Sequence, residues 1–215
     1  MRKLVMVIIG LGLGLILISQ NANADADIVL LDDNFNSENG GNPYQPNYPN
    51  FQNWDVVSGG VDLCGPEYYS YHGMPSWVGL YVDLDGGTTE GGILKSKTNF
   101  ALLHGKYELK FGIKGSNNLD PSDTDIVVVS LGSVYNETFT LPYNYPFTTI
   151  TRNINIPSST TGYLIFDHSS GNDWIGPLLD NVKLIKTNPV PEPSLMVLLG
   201  ISVMSLAGLK RWWKD

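Results

Sequence analysis

The nine residues "KYELKFGIK", Lys106 to Lys114, decide the fold. Tyr107, Leu109, Phe111 and Ile113 are apolar, whereas Lys106, Glu108, Lys110 and Lys114 are charged. Successive side chains of an extended chain point to opposite sides, so this alternation predicts a strand with one face on a core and the other in water. A helix would scatter the same residues around its whole circumference.

Working outward, the same period of two recurs between clusters of Gly, Asn, Pro, Ser and Asp, which break the chain into short runs. Further strands are expected at 28–31, 54–63 with a turn at Gly59 and Gly60, 79–84, 93–100, 126–131, 135–141, 147–156, 163–167 and 179–185. So many short strands at this spacing predict an all-β fold, a two-sheet antiparallel sandwich. In "DIVVVSL" the alternation is lost, so Ile126, Val127, Val128 and Val129 are expected in a strand covered on both sides. "DLDGG", Asp83 to Gly87, reads as a hairpin turn. No helix of note is expected between the two ends of the chain.

Composition narrows the partners. The chain has 215 residues and a formal charge of −8. Between Asp25 and Pro189 eight Lys and Arg stand against nineteen Asp and Glu, a net of −11. Such a surface repels phosphate backbones, so nucleic acid is excluded as a partner class. The single cysteine, Cys64, permits no internal disulfide, and core burial must hold the fold. Its neighbours predict a small buried side chain.

The order of landmarks carries a resemblance. "DDNFNSENGG", "FQNWDV", "GLYVDLDG", "FALLHGKYELKFGIKG" and "GYLIFDHSSGNDWIGPLLDNVKLIK" follow one another along the chain. This succession resembles the galactose-binding-like jelly roll of many carbohydrate-binding modules and exported surface proteins. The resemblance implies that "GKYELKFGIKG" is a central strand and "LLDNVKLI" the closing one, with Asp180 and Asn181 near the N-terminal loop. It further implies one structural Ca²⁺, with Asn34, Asn36 and Asp180 as the positions to watch, although Asn36 stands where the family usually has Glu. A metal-free, hydrogen-bonded turn is the alternative at that place.

Sugar binding by such a domain rests on rings that stack on pyranose faces and polar groups that orient hydroxyls. Rings among Gly and Pro lie in loops, where function is commonly carried. The candidates are Tyr44 and Tyr48, then Tyr68, Tyr69, Tyr71 and Trp77 of "PEYYSYHGMPSW", Tyr143 and Tyr145, and Trp174 of "NDWIG". Tyr68, Tyr69, Tyr71, Trp77 and Trp174 are expected to face a ligand. Catalysis has weaker support. Glycoside hydrolysis needs two carboxylates across a cleft, and Glu67, Glu90, Asp83 and Asp85 sit where solvated acids are ordinary. Asp167, His168 and Ser169 are neighbours in one strand, point to different faces and lack a nucleophile elbow. His72, His104 and His168 have no paired zinc spacing. No enzyme activity is expected.

The two ends read as sorting signals. Residues 1–24 have a cationic start (Arg2, Lys3), an apolar stretch from Leu4 to Ile18 and "NANA", which fits a signal peptide cut before Asp25. After a domain at 25–186 and a linker at 187–194, residues 195–215 form an apolar run with a basic end. Leu195 to Leu209 is 15 residues without a charge, short against the roughly 20 that span a bilayer core comfortably. Val190, Pro191, Glu192 and Pro193, then this run, then Lys210 and Arg211, resemble the PEP-CTERM sorting signal of Gram-negative bacteria. In that family the tail is a transient transmembrane anchor removed by an exosortase, a membrane protease. The resemblance implies export, inner-membrane tethering and release to the cell surface or extracellular polysaccharide matrix of a biofilm, as a carbohydrate-binding or structural component. The alternatives are a polysaccharide-acting hydrolase and a permanently membrane-anchored extracytoplasmic protein.

Overall fold

The computed structural model describes residues 26–87, 90–117, 122–171 and 175–188, all within one compact unit of residues 25–189. The expected signal peptide, the Val190–Pro193 motif, Lys210 and Arg211, and Trp174 lie outside the described residues.

The described chain is an all-β antiparallel sandwich of jelly-roll type. One sheet is built from β1 (Ile28–Asp33), β3 (Asp62–Cys64), β4 (Tyr81–Asp83), β7 (Gly105–Lys114), β10 (Thr148–Ile156) and β13 (Leu178–Thr187), in the order β10-β7-β13-β4-β3 with β1 also on β13. The other holds β2 (Trp54–Ser58), β5 (Ile93–Ser96), β8 (Thr124–Leu131), β9 (Tyr135–Pro142) and β12 (Leu164–Asp167), ordered β2-β5-β12-β8-β9. A short pair, β6 (Phe100–Leu102) with β11 (Thr160–Gly162), lies apart. The chain repeatedly exchanges sheets, so neighbours in sequence seldom pair.

Alternation in the opening stretch does what it predicts. Tyr107, Leu109, Phe111 and Ile113 are buried and pack inward, while β7 itself lies between β10 and β13. Phe111 meets Phe166 of the opposite sheet edge-on at 5.2 Å, and Phe166 meets Trp54 at 5.7 Å. Burying each such ring contributes roughly 2–3 kcal/mol, which replaces the missing disulfide as the source of stability. Cys64 is 2% exposed, and burial pushes its thiol well above the usual range.

Two local expectations need correction. β8 is not covered on both sides: Val127 and Val129 are fully buried, but Ile126 is 42% exposed, because an antiparallel sandwich leaves one sheet face in water. The break expected at Gly59 and Gly60 is present, and the strands on its two sides, β2 and β3, join different sheets. Asp83 to Gly87 is not a hairpin turn: it carries the chain from β4 towards β5 in the other sheet and is held by Gly86 N–H donating to Gly60 O at 3.0 Å. Turn chemistry marks where a chain reverses without saying which sheet it enters. Among the described residues the one α-helical turn, α1 (Tyr69–His72), ends at Gly73, whose φ of +62° is the left-handed cap that glycine allows.

Candidate functional site

The outward face of the β3–β4 edge should be wet, yet it is roofed. Inward, Leu63, Val82 and Leu84 enter the main core. Outward, Cys64 and Tyr81 with Leu178 form a second apolar cluster with Met74 and Val78, which the segment after β3 folds back to supply. Tyr69 locks this roof: its hydroxyl accepts from Gly79 N–H at 2.8 Å and donates to Gly79 O at 2.7 Å. Gly79 has φ +83° and touches Asn36 so closely that a Cβ there would overlap its side chain.

Beneath the roof lies a cavity of about 290 Å³ lined by Tyr44, Asp62, Cys64, Tyr68, Tyr71, His72, Asp83 and Ile175. Tyr44 and Tyr68 stack with centroids 4.5 Å apart, and Tyr68 and Tyr71 flank His72 at 5.8 and 5.2 Å. Burial, then Asp62 and Tyr68 nearby, push the Tyr44 hydroxyl up to about 12. Asp62 and Asp83 are directly opposed across β3 and β4. Asp62 Oδ1 accepts Asn47 N–H at 2.7 Å and Gly87 N–H at 3.2 Å; Asp83 Oδ1 accepts Asp85 N–H at 3.0 Å and Gly176 N–H at 2.9 Å. Desolvation nevertheless raises both carboxyls, Asp83 well above the ordinary range. Desolvated carboxylates gain from any further donor, such as a ligand hydroxyl.

His72 sits at the back. Its Nδ1 is 2.8 Å from the Tyr81 hydroxyl, while Nε2 is 3.9 Å from Asp83 Oδ2, too far for a hydrogen bond. Burial, helped by the charge of Lys114, lowers its pKa to about 4, so the ring is neutral at ordinary pH. Lys114 is itself buried and its ammonium donates to Gly115 O at 3.2 Å. Neutral imidazole, two carboxylates and three tyrosines make a surface of hydrogen-bonding groups beside apolar rings.

The sequence-predicted residues part company here. Tyr68 and Tyr71 reach the cavity, joined by Tyr44 from the preceding loop. Tyr69 belongs to the roof. Trp77 leaves the cavity and packs edge-on against Phe147 at 5.8 Å, over a different part of the same sheet. Asp62, Asp83, His72 and Ile175 were not foreseen as partners of these rings. The short alternation around Asp62 and Asp83 was the available signal, because it placed a carboxylate outward on each of two neighbouring strands.

The three positions expected to hold calcium carry local hydrogen bonds. Asn36 Oδ1 accepts Leu80 N–H at 2.6 Å, and Asn34 Oδ1 accepts Asn36 N–H at 3.2 Å, so both amide oxygens bind backbone. Asp180 Oδ2 accepts from the Asn181 amide at 2.6 Å, while Oδ1 is buried without a hydrogen bond. Burial, with Asp33 nearby, raises Asp180 to about 8. Among the described residues no group of three or more His, Cys, Asp or Glu is arranged to hold a metal. His168 faces Asp125, with Nε2 3.6 Å from Oδ1, rather than its neighbours Asp167 and Ser169. Glu67 is exposed.

No known protein family and no curated protein matches the chain. Solved structures do. It is similar to the xylan-binding CBM22-1 domain of Xyn10C from Paenibacillus barcinonensis, at 13% identity over 76% of this chain and 97% of that one, with a TM-score of 0.44. It is similar to the C-terminal CBM6 of LamC, a marine laminarinase from Zobellia galactanivorans (12%, 73% and 98%, 0.40), and to TmCBM61 in complex with β-1,4-galactotriose (13%, 66% and 99%, 0.39). Likeness of this degree carries nothing about what this chain binds.

Proposed function

We propose that this is an exported, non-catalytic carbohydrate-binding domain, released from a transient membrane tail by an exosortase and delivered to the cell surface or extracellular polysaccharide matrix. The carrying observation is the cavity in which Tyr44, Tyr68 and Tyr71 stand beside Asp62, Asp83 and neutral His72. Rings supply flat apolar area to a pyranose, and desolvated acceptors orient its hydroxyls, a combination typical of small-ligand sites. A glycan array with the full-length chain beside a Tyr44→Ala/Tyr71→Ala double variant tests this. Binding of a neutral glycan that falls at least about tenfold in the variant, roughly 1.4 kcal/mol, supports it. A silent array, or equal binding by both proteins, overturns it.

Delivery rests on the order of Val190 to Pro193, apolar run, Lys210 and Arg211. The intact mass of the extracellular form should begin at Asp25 and lack Trp212 and Trp213; a secreted form that retains both tryptophans refutes tail processing. A hydrolase is the second reading, favoured by the opposed pair Asp62 and Asp83. Release of reducing ends that Asp83→Asn abolishes would establish it. Against it, each carboxylate already holds two backbone N–H groups, the behaviour of a loop organiser.

A further inference from the structure

The same sheet has a second open region, on the outward side of β7, β10, β13 and β1. Asp32, Trp77, Lys110, Phe147, Thr149, Asn181 and Lys183 line a groove of about 280 Å³ there. Its platform is built by the sequence. Outward positions of β7 run Lys106, Glu108, Lys110, Gly112 and Lys114, and the missing side chain at Gly112 admits the ring of Phe147, with which any Cβ would overlap. Trp77 then packs its edge on Phe147 and stays 71% exposed.

The charges beside that ring are unbalanced. Lys110 and Lys183 are directly opposed across β7 and β13. Like charges at opposed positions destabilise a sheet. Asp32 relieves one of them, with its Oδ2 2.7 Å from Lys183 Nζ. Lys110 is exposed and, among the described residues, forms no ion pair. Glu108 and Lys106 are the other exposed or half-buried charged groups outward on β7, Lys114 at its end being buried. The face therefore holds three lysines against two carboxylates in a domain whose net charge between Asp25 and Pro189 is −11. A second groove, of about 350 Å³, continues along the same strands past Lys106, Asn153, Asn155 and Thr187. Lys106 and Lys110 are four strand residues apart, about 13 Å, so an extended chain lying along β7 meets a cation at each end.

We propose that this face is a second glycan-binding surface, distinct from the tyrosine cavity, and that it takes an acidic, uronate-bearing polysaccharide. A sugar ring stacks on Trp77, its carboxylate pairs with Lys110 and relieves the Lys110–Lys183 repulsion, and Thr149 and Asn181 meet its hydroxyls. A neutral chain would leave the Lys110 charge without a counter-charge.

The test is affinity electrophoresis of the full-length chain in polygalacturonate and in the same polymer with its carboxyls methyl-esterified. Retardation is expected only in the free acid, weakening between about 50 and 200 mM salt as screening requires. Lys110→Gln and Trp77→Ala should each lower the affinity about tenfold, while the neutral glycan bound at Tyr44 and Tyr71 is held as before. That last arm separates failure of this surface from failure of the tyrosine cavity. Equal retardation in acid and ester, no retardation in either, or a Lys110→Gln variant that binds the acid as tightly as the parent overturns the proposal.

Discussion

Nine residues apart in one loop, Tyr68 and Trp77 end in opposite surroundings. Tyr68 helps line a pocket in which two opposed carboxyls, Asp62 and Asp83, are largely withdrawn from water and raised by desolvation. Trp77 stands in the open over a groove whose distinguishing group is a solvated, uncompensated lysine. What separates them is Tyr69, bonded twice to Gly79, which turns the loop so that its first half lies on β3 and β4 and its second half reaches β7 and β10. The lesson is that a run of aromatics identifies a loop capable of recognition, while the strand each ring lands on fixes which chemistry it recognises.

The strongest way to break this division is at its hinge. Gly79→Ala should remove about 3 kcal/mol of stability, from positive φ and overlap with Asn36, and should weaken both binding activities together; urea denaturation and both electrophoresis gels report it. Less drastic is acid. The folded pKa of His72, about 4, lies below its ordinary value of 6.5, so the unfolded chain takes up the proton first and stability falls as pH drops from about 6.5 towards 4. At pH 5 the loss from this group should be about 2 kcal/mol relative to neutral pH, and His72→Gln should flatten that part of the urea midpoint against pH. Asp180 works in the opposite direction. Its folded pKa of about 8 exceeds the ordinary 3.8, so its contribution is full below about pH 4 and is lost as pH rises from there to about 8, and Asp180→Asn should remove this decline. The smallest effect is expected at the sheet edge, where Arg152 donates to both oxygens of Glu137 at 2.6 and 2.7 Å with both side chains about one-third exposed. Glu137→Gln should cost less than about 1 kcal/mol and leave both glycan affinities unchanged, a control for substitutions remote from either region.

Much of the framework was readable in advance. Lys106 to Lys114 announced its own strand and inward face, and the runs at 135–141 and 147–156 became β9 and β10 within a residue of their ends. The run at 93–100 hid a break, because β5 stops at Ser96 and β6 starts only at Phe100. β11 was missed: Thr160, Thr161 and Gly162 form too short a run for alternation to register. The candidate site was legible in part. Rings among Pro and Gly pointed to the Tyr68–Trp77 loop, but nothing near Tyr44 in sequence says that its ring will stack on Tyr68, and nothing near Tyr69 says that its hydroxyl will be consumed by Gly79.

By itself the sequence determined which residues alternate, hence which are strands, which faces are apolar and how acidic the domain surface is; these are properties of a residue and its near neighbours, set by the two-residue repeat of an extended backbone. Only the tertiary structure decided that β2 and β3 part into different sheets, that Asp62 and Asp83 lose water together, and that Gly112 lets Phe147 lift Trp77 beside Lys110. Strand pairing and desolvation arise between residues far apart along the chain, and no local pattern encodes which distant partner completes them.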